Sequence, residues 1–477
     1  MLSLGEELLK YQQDGFLSFH TPGHKGKCEF FKGLNFPEHD LTELPGLDML
    51  HAPQGVLAEA QKRAAQVFGA EESFFLVNGA TAGNQAMFLA LSQKKGKVLI
   101  ERQSHRSVSA GLILSGLEPI YLKPIVHPEF RLPLGLNYDI GSEVWAEIQG
   151  VHITYPSYYG TLPDIAPILR DRELYGPSVP ILVDQAHGSH YLSEIFPPSA
   201  LSWGADLVLH SSHKTLSALT QAAMLHVQGE RIAKNRLRQA LEILQSSSPS
   251  YLLMASLERS VEFALDEKRW ELLYEAVQDL HEQVSKVLRI FNKDDQGQYG
   301  IAQWDWSKIL VNTSSIGLSA TVSVEFLRSH FRIEPELWDD ENILFVLGIG
   351  NTPEEVQRLT QGLSAMIEWA KTANHSGVKT SGLNKEKVSF SEWELSLPPI
   401  RMTPREAFLA PKRQIPLRES LGKILGESIS PYPPGIPLVA MGEEMTYEVL
   451  EALLHSSSNR WQGWDKPEQA IWIIEEG

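Results

Sequence analysis

The clearest pattern along the chain is a series of short apolar runs separated by segments of helix length. Seven such runs predict buried strands, at residues 74–77, 97–100, 119–122, 151–154, 181–183, 207–209 and 224–227. Short apolar strands that alternate with helical segments are typical of crossover units in a mostly parallel sheet covered on both faces. We therefore predict an α/β large domain with a mostly parallel seven-stranded sheet. Ligands of such sheets bind at the carboxyl ends of the strands.

The same pattern sets the start and the end of this large domain. Residues 1–55 carry many Gly, Pro and His after an amphipathic helix predicted over residues 1–10, and we expect this segment to pack on the main domain or on another subunit. The large domain is predicted over residues 56–290. It begins with an alanine-rich helix over residues 56–68 and ends with long amphipathic helices from about residue 231.

Two smaller units are predicted after the large domain. Residues 291–370 indicate a small α+β domain in the order strand, strand, helix, strand, helix, with its clearest strands at 320–324 and 343–346. Residues 371–387 are polar and contain Gly and Ser, which favours a linker. Residues 388–477 are then predicted to form a C-terminal domain.

Composition narrows the class of protein. The 477 residues are 43% hydrophobic and 21% charged, which is ordinary for a globular protein with a sizeable core. The formal net charge of -17 argues against non-specific binding to nucleic acid or anionic membrane. The lone cysteine, Cys28, excludes an intramolecular disulfide. With no signal-peptide pattern and no apolar run of membrane-spanning length, the sequence predicts a soluble cytoplasmic protein.

The first motif that could carry chemistry is Ser211-Ser212-His213-Lys214, which follows the predicted strand 207–209. A lysine at a strand end, flanked by hydroxyls and an imidazole, is well placed to form an imine with an aldehyde cofactor. Ser211 and His213 could hold a phosphate, as a neutral donor and a possible cation respectively. Taken alone, the motif fits a solvated surface lysine equally well.

The second motif is Asp184-Gln185-Ala186-His187, at the end of the predicted strand 181–183. A carboxylate there could keep a pyridinium nitrogen protonated, so that the ring acts as an electron sink. His187 is close enough in sequence to touch such a ring. The alternative is a strand-end aspartate that caps a following helix.

Two further motifs follow strand ends. The Gly-rich turn at residues 78–84 leads into a helix, and the backbone N–H groups of Ala80 and Thr81 could bind a phosphate there. His105 follows the strand 97–100 and could stack on a flat aromatic ring, although it could also be an ordinary loop histidine. The chain order of phosphate turn, stacking histidine, acidic partner and imine lysine resembles the fold type I enzymes that use pyridoxal phosphate (PLP).

Five motifs resemble one family more closely, the bacterial ornithine/lysine/arginine decarboxylases. They are Thr-Pro-Gly-His-Lys at 21–25, Asp-Leu-Thr-Glu-Leu at 40–44, Phe-Gly-Ala at 68–70, the Gly-rich turn at 78–84 and Ser-Ser-His-Lys-Thr at 211–215. Pro-Tyr-Pro-Pro-Gly-Ile-Pro at 431–437 is similar to the C-terminal domain of that family. The resemblance runs from about residue 5 to residue 450.

The resemblance implies PLP as cofactor, no metal, and a role for each matching residue. Lys214 would be the Schiff-base lysine, Asp184 would pair with the pyridine nitrogen, and His105 would stack on the ring. His187 would lie beside the cofactor. Four residues would hold the phosphate: Ala80, Thr81, Ser211 and His213. The family forms dimers with active sites at the interface, so residues 21–25 are expected to complete the neighbour's site.

Three departures from the family pattern limit what it implies. Larger members carry a wing domain ahead of this region, whereas this chain begins almost at the PLP domain, so assemblies built on that wing are not implied. Ala80 stands where a hydroxyl residue is usual, which removes one donor to the phosphate. Met441-Gly442-Glu443 replaces the more usual Pro-Gly-Glu, which puts in question any role of Glu443.

The implied reaction is decarboxylation of a basic amino acid to a polyamine-type amine and carbon dioxide, with lysine or arginine favoured over ornithine as the substrate. Lys214 or His213 would return the proton to Cα. A basic substrate also needs a carboxylate for its distal cation. Five acids are candidates, each of them equally well explained as a solvated surface residue: Asp40, Glu43, Asp48, Glu443 and Glu444.

Two other classes of function stay open. Aminotransferase or aldolase chemistry would hold the substrate carboxylate with an arginine, for which Arg332 and Arg401 are candidates. A catalytically silent PLP-binding sensor is the second class. The intact set of Lys214, Asp184 and His105 argues against a silent protein.

Overall fold

The computed structural model describes residues 13–34, 39–92, 96–375, 395–431, 435–455, 461–465 and 470–475. The helix predicted over residues 1–10 lies outside them, as do residues 432–434 of the proline-rich stretch. The linker predicted over 371–387 begins within the last turns of the helix Pro353–His375, and its remainder lies outside the described residues.

A seven-stranded sheet forms the centre of the large domain. In spatial order its strands are Glu72–Leu76, Ala223–Val227, Leu207–His210, Ile181–Asp184, Ile148–Thr154, Lys97–Glu101 and Glu118–Leu122. Ala223–Val227 runs antiparallel to both of its neighbours, and the other pairings are parallel. Every predicted apolar run is a strand of this sheet, which confirms the predicted fold class.

Both faces of the sheet are covered, because alternate residues of each strand enter different cores. Leu99 packs into one core, while Val98 and Ile100 pack into the other. The covering helices begin with Val56–Phe68, which confirms the alanine-rich helix predicted there. The other helices of the large domain are Gly79–Leu91, Arg106–Ser115, Ala166–Tyr175, Lys234–Leu244, Tyr251–Ala264 and Glu267–Val284.

The small domain is built on a four-stranded sheet. Its strands, in spatial order, are Arg289–Ile290, Lys308–Asn312, Asn342–Val346 and Leu337–Trp338. The helices Ala320–Phe331 and Pro353–His375 accompany it. The strand predicted at 343–346 is confirmed.

The strand predicted at residues 320–324 is wrong, because these residues open the helix Ala320–Phe331. The alternation of small apolar and hydroxyl residues suggested a strand. However, Ala320, Val324 and Leu327 are buried at helical spacing. Ser319 also caps the helix, since its side chain accepts a hydrogen bond from the Val322 N–H at 3.3 Å.

The N-terminal segment packs between the two domains of its own chain. Its strand Leu17–Phe19 pairs with Ile333–Pro335 of the small domain. The Gly23 N–H donates to the His213 carbonyl at 2.7 Å, so the segment also contacts the loop that carries Lys214. A Cβ on Gly23 would lie 2.4 Å from the Leu216 carbonyl oxygen, so this close approach requires glycine. The position of residues 1–55 in a dimer interface stays a prediction.

The C-terminal domain has a hydrophobic core of its own, which includes Leu417, Leu425, Val439 and Ile473. Its regular elements are the strands Lys412–Pro416, Trp464–Asp465 and Ala470–Ile474 and the helices Pro404–Leu409 and Tyr447–His455. A short strand pair in the same domain joins Ser430–Pro431 to Trp461–Gln462. Earlier in the chain, two further pairs join Pro124–Val126 to Pro133–Leu136 and Thr161–Pro163 to Ile301–Trp304. None of the helices in the described residues has the length and apolarity needed to cross a membrane.

Candidate active site

Lys214 lies just beyond the carboxyl end of the strand Leu207–His210 of the seven-stranded sheet, in the one-turn helix Ser212–Thr215. Its Nζ is 2.8 Å from His187 Nε2. Burial lowers the pKa of the Lys214 ammonium, and the Asp184 carboxylate opposes this shift. Burial and the charges of Lys214 and Lys308 hold the pKa of His187 well below its usual range, so the neutral ring can accept a hydrogen bond from Lys214.

Asp184 ends the neighbouring strand, Ile181–Asp184, and is 4% exposed. Its Oδ2 accepts a hydrogen bond from Asn84 Nδ2 at 2.7 Å, and its Oδ1 accepts one from the Ala186 N–H at 3.0 Å. Asn84 Oδ1 in turn lies 3.1 Å from His152 Nε2. A loop rather than a helix follows Asp184, so the helix-capping alternative is not supported.

His105 is connected to Asp184 through two intermediate side chains. Its Nδ1 lies 2.7 Å from Ser107 Oγ and accepts the Ser107 N–H at 3.2 Å, which caps the helix Arg106–Ser115. Asn84 Nδ2 donates to Ser107 Oγ at 2.9 Å. Partial desolvation lowers the pKa of His105 while the Asp184 charge opposes the shift, so the ring lies in the field of that carboxylate.

Ala80 and Thr81 lie in the first turn of the helix Gly79–Leu91, where backbone N–H groups have no partner within the helix. This turn and the one-turn helix that carries Lys214 both contact residues 221–222. The His213 N–H donates to the Ala222 carbonyl at 3.3 Å, and a Cβ on Gly79 would lie 3.5 Å from the Gln221 carbonyl oxygen. The predicted phosphate residues are therefore brought to one end of the site.

The segment around Lys214, residues 211–217 (the lysine loop), carries several buried polar atoms that have no hydrogen-bond partner among the described residues. They are Ser212 Oγ, His213 Nδ1, Thr215 Oγ1 and Ser217 Oγ, together with His187 Nδ1 on the facing loop. Buried polar groups in folded proteins are normally hydrogen-bonded. A phosphate-bearing ring with a polar rim fits this set of donors and acceptors.

The surroundings of His213 favour its neutral form. Burial and the neighbouring Lys214 charge lower the pKa of His213 to about 4. A neutral imidazole can offer a hydrogen bond to a phosphate, and the role of His213 as a phosphate ligand stays a prediction.

Three of the acids considered as binding partners of a substrate cation already accept hydrogen bonds from other groups of the protein. Glu443 accepts two hydrogen bonds from Arg102, at 2.6 and 2.7 Å. Glu444 accepts one from Arg401 at 2.6 Å. Asp48 accepts hydrogen bonds from backbone N–H groups at the start of the helix Val56–Phe68, including that of Gly55 at 2.6 Å. Although burial opposes the shift, these hydrogen bonds lower the pKa of Asp48 to about 2.

The two other acids considered for the substrate cation, and the two arginines considered for a substrate carboxylate, lie as follows. Asp40 and Glu43 are exposed. Arg332 lies over the Phe16 ring, with its guanidinium carbon 5.7 Å from the ring centroid. Arg401 is committed to Glu444, so within the described residues neither arginine makes a contact that favours aminotransferase or aldolase chemistry.

Sequence reasoning missed a carboxylate of the small domain, Glu336. It accepts hydrogen bonds from the Tyr158 hydroxyl and the Thr21 N–H, both at 2.7 Å. Although burial opposes it, these bonds and the charges of Lys25 and Lys214 lower the pKa of Glu336. The Tyr158 ring also contacts His187 edge-on, with ring centroids 4.7 Å apart.

Two comparisons relate the whole chain to known sequences. Residues 3–308 match the Orn/Lys/Arg decarboxylase major domain, and residues 386–461 match the C-terminal domain of the same family. The chain is 34% identical over 465 residues to the uncharacterized protein YaaO of Bacillus subtilis, which covers 94% of this chain and 93% of that protein. It is 31% identical to the arginine decarboxylase of the same organism, covering 91% of this chain and 89% of the relative.

Solved structures agree on the fold. The constitutive lysine decarboxylase of Escherichia coli superposes with a TM-score of 0.75 at 20% identity, covering 99% of this chain and 81% of that structure. Lysine decarboxylase A of Pseudomonas aeruginosa gives a TM-score of 0.74 at 20% identity, with 98% and 80% covered.

The seven-stranded sheet and the superposition on the E. coli structure define the fold of this chain as fold type I. More narrowly, the chain belongs to the Orn/Lys/Arg decarboxylase family. It is accordingly an amino-acid decarboxylase, a carboxy-lyase with PLP as its cofactor.

Proposed function

We propose that this enzyme decarboxylates a basic amino acid, arginine or lysine rather than ornithine, to carbon dioxide and the corresponding amine. The observation that carries the proposal is the convergence of Lys214, Asp184 and His105 at the strand ends of one sheet. The names of its relatives favour arginine. Proteins named arginine decarboxylase from three Bacillus species are 28–31% identical to this chain.

In this proposal Lys214 would hold PLP covalently. When bound, PLP supplies an electron sink for the bond that breaks at Cα. Asp184 keeps the ring nitrogen protonated, and its two hydrogen bonds, from Asn84 and from the Ala186 N–H, orient the carboxylate for that task. His105 stacks on the ring, held in place by Ser107.

The phosphate is held by four residues, through backbone N–H groups at the helix start and through polar side chains of the lysine loop: Ala80, Thr81, Ser211 and His213. Ala80 contributes only its N–H. His187 would lie beside the cofactor, and its Nε2 accepts a hydrogen bond from Lys214 Nζ. Lys214 or His213 returns the proton to Cα.

We also propose that the enzyme acts as a cytoplasmic homodimer with shared active sites. Large apolar side chains support a contact with a second copy along the segment that precedes the helix Val56–Phe68. Leu44 is 48% exposed and Met49 is 54% exposed, and Val56, the first residue of the helix, is 57% exposed. Such a run of exposed apolar residues is typical of an interaction surface.

Carbon dioxide release from arginine, lysine and ornithine, with added PLP and with identification of the amine product, tests this function. We expect release from arginine or lysine, and at least about tenfold less from ornithine, because a shorter side chain places its cation away from a fixed carboxylate. A product that retains its carboxylate would instead support aminotransferase or aldolase chemistry. Bound PLP without turnover of any amino acid would support a sensor.

A further inference from the structure

A second lysine, Lys308, is completely buried close to the proposed active site. It belongs to the small-domain strand Lys308–Asn312 and has 0% of its surface exposed. Its Nζ lies 3.4 Å from Asp305 Oδ2, 3.4 Å from Ser307 Oγ and 3.5 Å from the carbonyl oxygen of His187. A buried ion pair is weak evidence for stability, because desolvation of both charges offsets their attraction. The position of this cation therefore calls for another explanation.

The backbone is shaped to admit the Lys308 side chain. Gly160 has a φ of +89°, and a Cβ at this position would lie 2.6 Å from both Cβ and Cγ of Lys308. The Gly160 carbonyl accepts the Asp305 N–H at 2.8 Å. Gly160 lies in the large-domain loop after the strand Ile148–Thr154. Because it has no side chain, the side chain of Lys308 from the small domain can pack against this loop.

Asp305 connects Lys308 to the loop that carries His187. Asp305 is also completely buried, and it accepts hydrogen bonds from the Tyr191 hydroxyl at 3.1 Å and the Ser307 N–H at 2.9 Å. His190 Nε2 lies 3.3 Å from the same carboxylate. Burial lowers the pKa of His190, so this cluster contains one cation, Lys308, and one anion, Asp305. Burial opposes the shift, but the charge of Lys308 holds the pKa of Asp305 well below its usual range.

We propose that Lys308 is a positioning residue of the active site: with Asp305 it anchors the His187–His190 loop to the small domain, and its positive charge faces the site of Lys214. The anchoring contacts are those at the His187 carbonyl and at His190. The 2.8 Å contact between His187 Nε2 and Lys214 Nζ then depends on a residue that does not touch the substrate.

The charges that face Lys214 come from three directions. Asp184 at the adjoining strand end and Glu336 of the small domain favour the protonated amine, and Lys308 disfavours it. The rings of His187 and His213 are neutral. Removal of the Lys308 charge therefore leaves two carboxylates facing Lys214 without the opposing cation.

The pH titration of the visible absorbance band of the PLP-loaded enzyme tests this inference, which rests on the proposed role of Lys214. We expect Lys308→Met to raise the midpoint of that titration by about one pH unit, because a nearby cation has been removed. Asp305→Asn removes the anion instead, and we expect it to lower the midpoint. The double variant is expected to lie between the two single variants.

Lys234→Met is the matched control, because Lys234 is partly exposed and pairs with Glu71 on the surface. It is expected to leave the midpoint unchanged. Lys308→Gln, which keeps a donor to Asp305 and much of the side-chain volume, provides the same test if the methionine variant does not fold. An unchanged midpoint, or shifts of the same sign in the Lys308 and Asp305 variants, would overturn the electrostatic role. If the wild-type protein showed no such band, the proposed role of Lys214 would fail, and this inference with it.

Discussion

Replacing Asp184 with asparagine is expected to lower the rate of carbon dioxide release at least about 100-fold. Asparagine keeps the shape of the side chain and can still accept a hydrogen bond from the Ala186 N–H, which the aspartate accepts at 3.0 Å. It carries no charge to hold the pyridine nitrogen protonated, so the electron sink is lost. The measurement is kcat with saturating PLP, and circular dichroism verifies that the variant is folded.

Asp206→Asn is the control for the loss of a buried carboxylate. Asp206 is 1% exposed, accepts the Ile181 N–H at 2.8 Å and contacts Arg231 and Arg172, beside the opposite ends of the same strands. This variant is expected to lose stability and to retain kcat. A rate for Asp184→Asn within about threefold of the wild type would contradict the assigned role of Asp184.

The second large effect is expected at the contact between the large domain and the C-terminal domain. Arg102 and Glu443 are 4% and 1% exposed and form a two-pronged ion pair. Arg102 also donates to the carbonyl oxygens of Pro437 and Leu438, at 3.0 and 3.2 Å. Arg102→Leu leaves the Glu443 charge buried without its cation, which is expected to cost about 3–5 kcal/mol of unfolding free energy. Urea denaturation measures this loss.

The adjacent pair, Arg401 and Glu444, supplies the comparison. Arg401 is 55% exposed, so Arg401→Ala is expected to cost at most about 1 kcal/mol. Arg102→Leu combined with Glu443→Leu removes both charges and is expected to recover part of the loss. Equal losses for Arg102→Leu and Arg401→Ala would show that the buried pair does not hold the C-terminal domain in place.

The sequence predicted the sheet well, because each strand is a local signal. Each strand of the central sheet is a short apolar run, and Asp184 and Lys214 each lie at or just after the end of one. The strand predicted at 320–324 failed for a related reason. Alternation over five residues cannot be distinguished from the first turn of a helix until Leu327 is counted at helical spacing.

The partners of the site residues could not be predicted in the same way. Asn84 lies inside the Gly-rich motif, and Ser107 lies two residues after His105, so spacing offered a weak signal for both. His152 is in the middle of a strand, and its contact with Asn84 depends on the order of strands in the sheet. Glu336 and Lys308 reach the site from the small domain, and no local pattern marks them.

The ion pair between Arg102 and Glu443 could not be predicted from the sequence either. Glu443 was one of the five acids considered for a substrate cation. Its actual partner, Arg102, lies more than 300 residues earlier in the sequence. Only the docking of the C-terminal domain on the large domain brings these two side chains together.

The account is tested most directly by locating the covalently bound cofactor. Three buried lysines lie in this region, Lys25, Lys214 and Lys308, and burial lowers the pKa of each. Borohydride reduction of the PLP-loaded enzyme, followed by peptide mass spectrometry, fixes the cofactor to whichever lysine carries it. We predict a single labelled peptide that contains Lys214, and no label in the Lys214→Ala variant. Label on Lys25 or Lys308 in the wild-type enzyme would contradict the proposed active site.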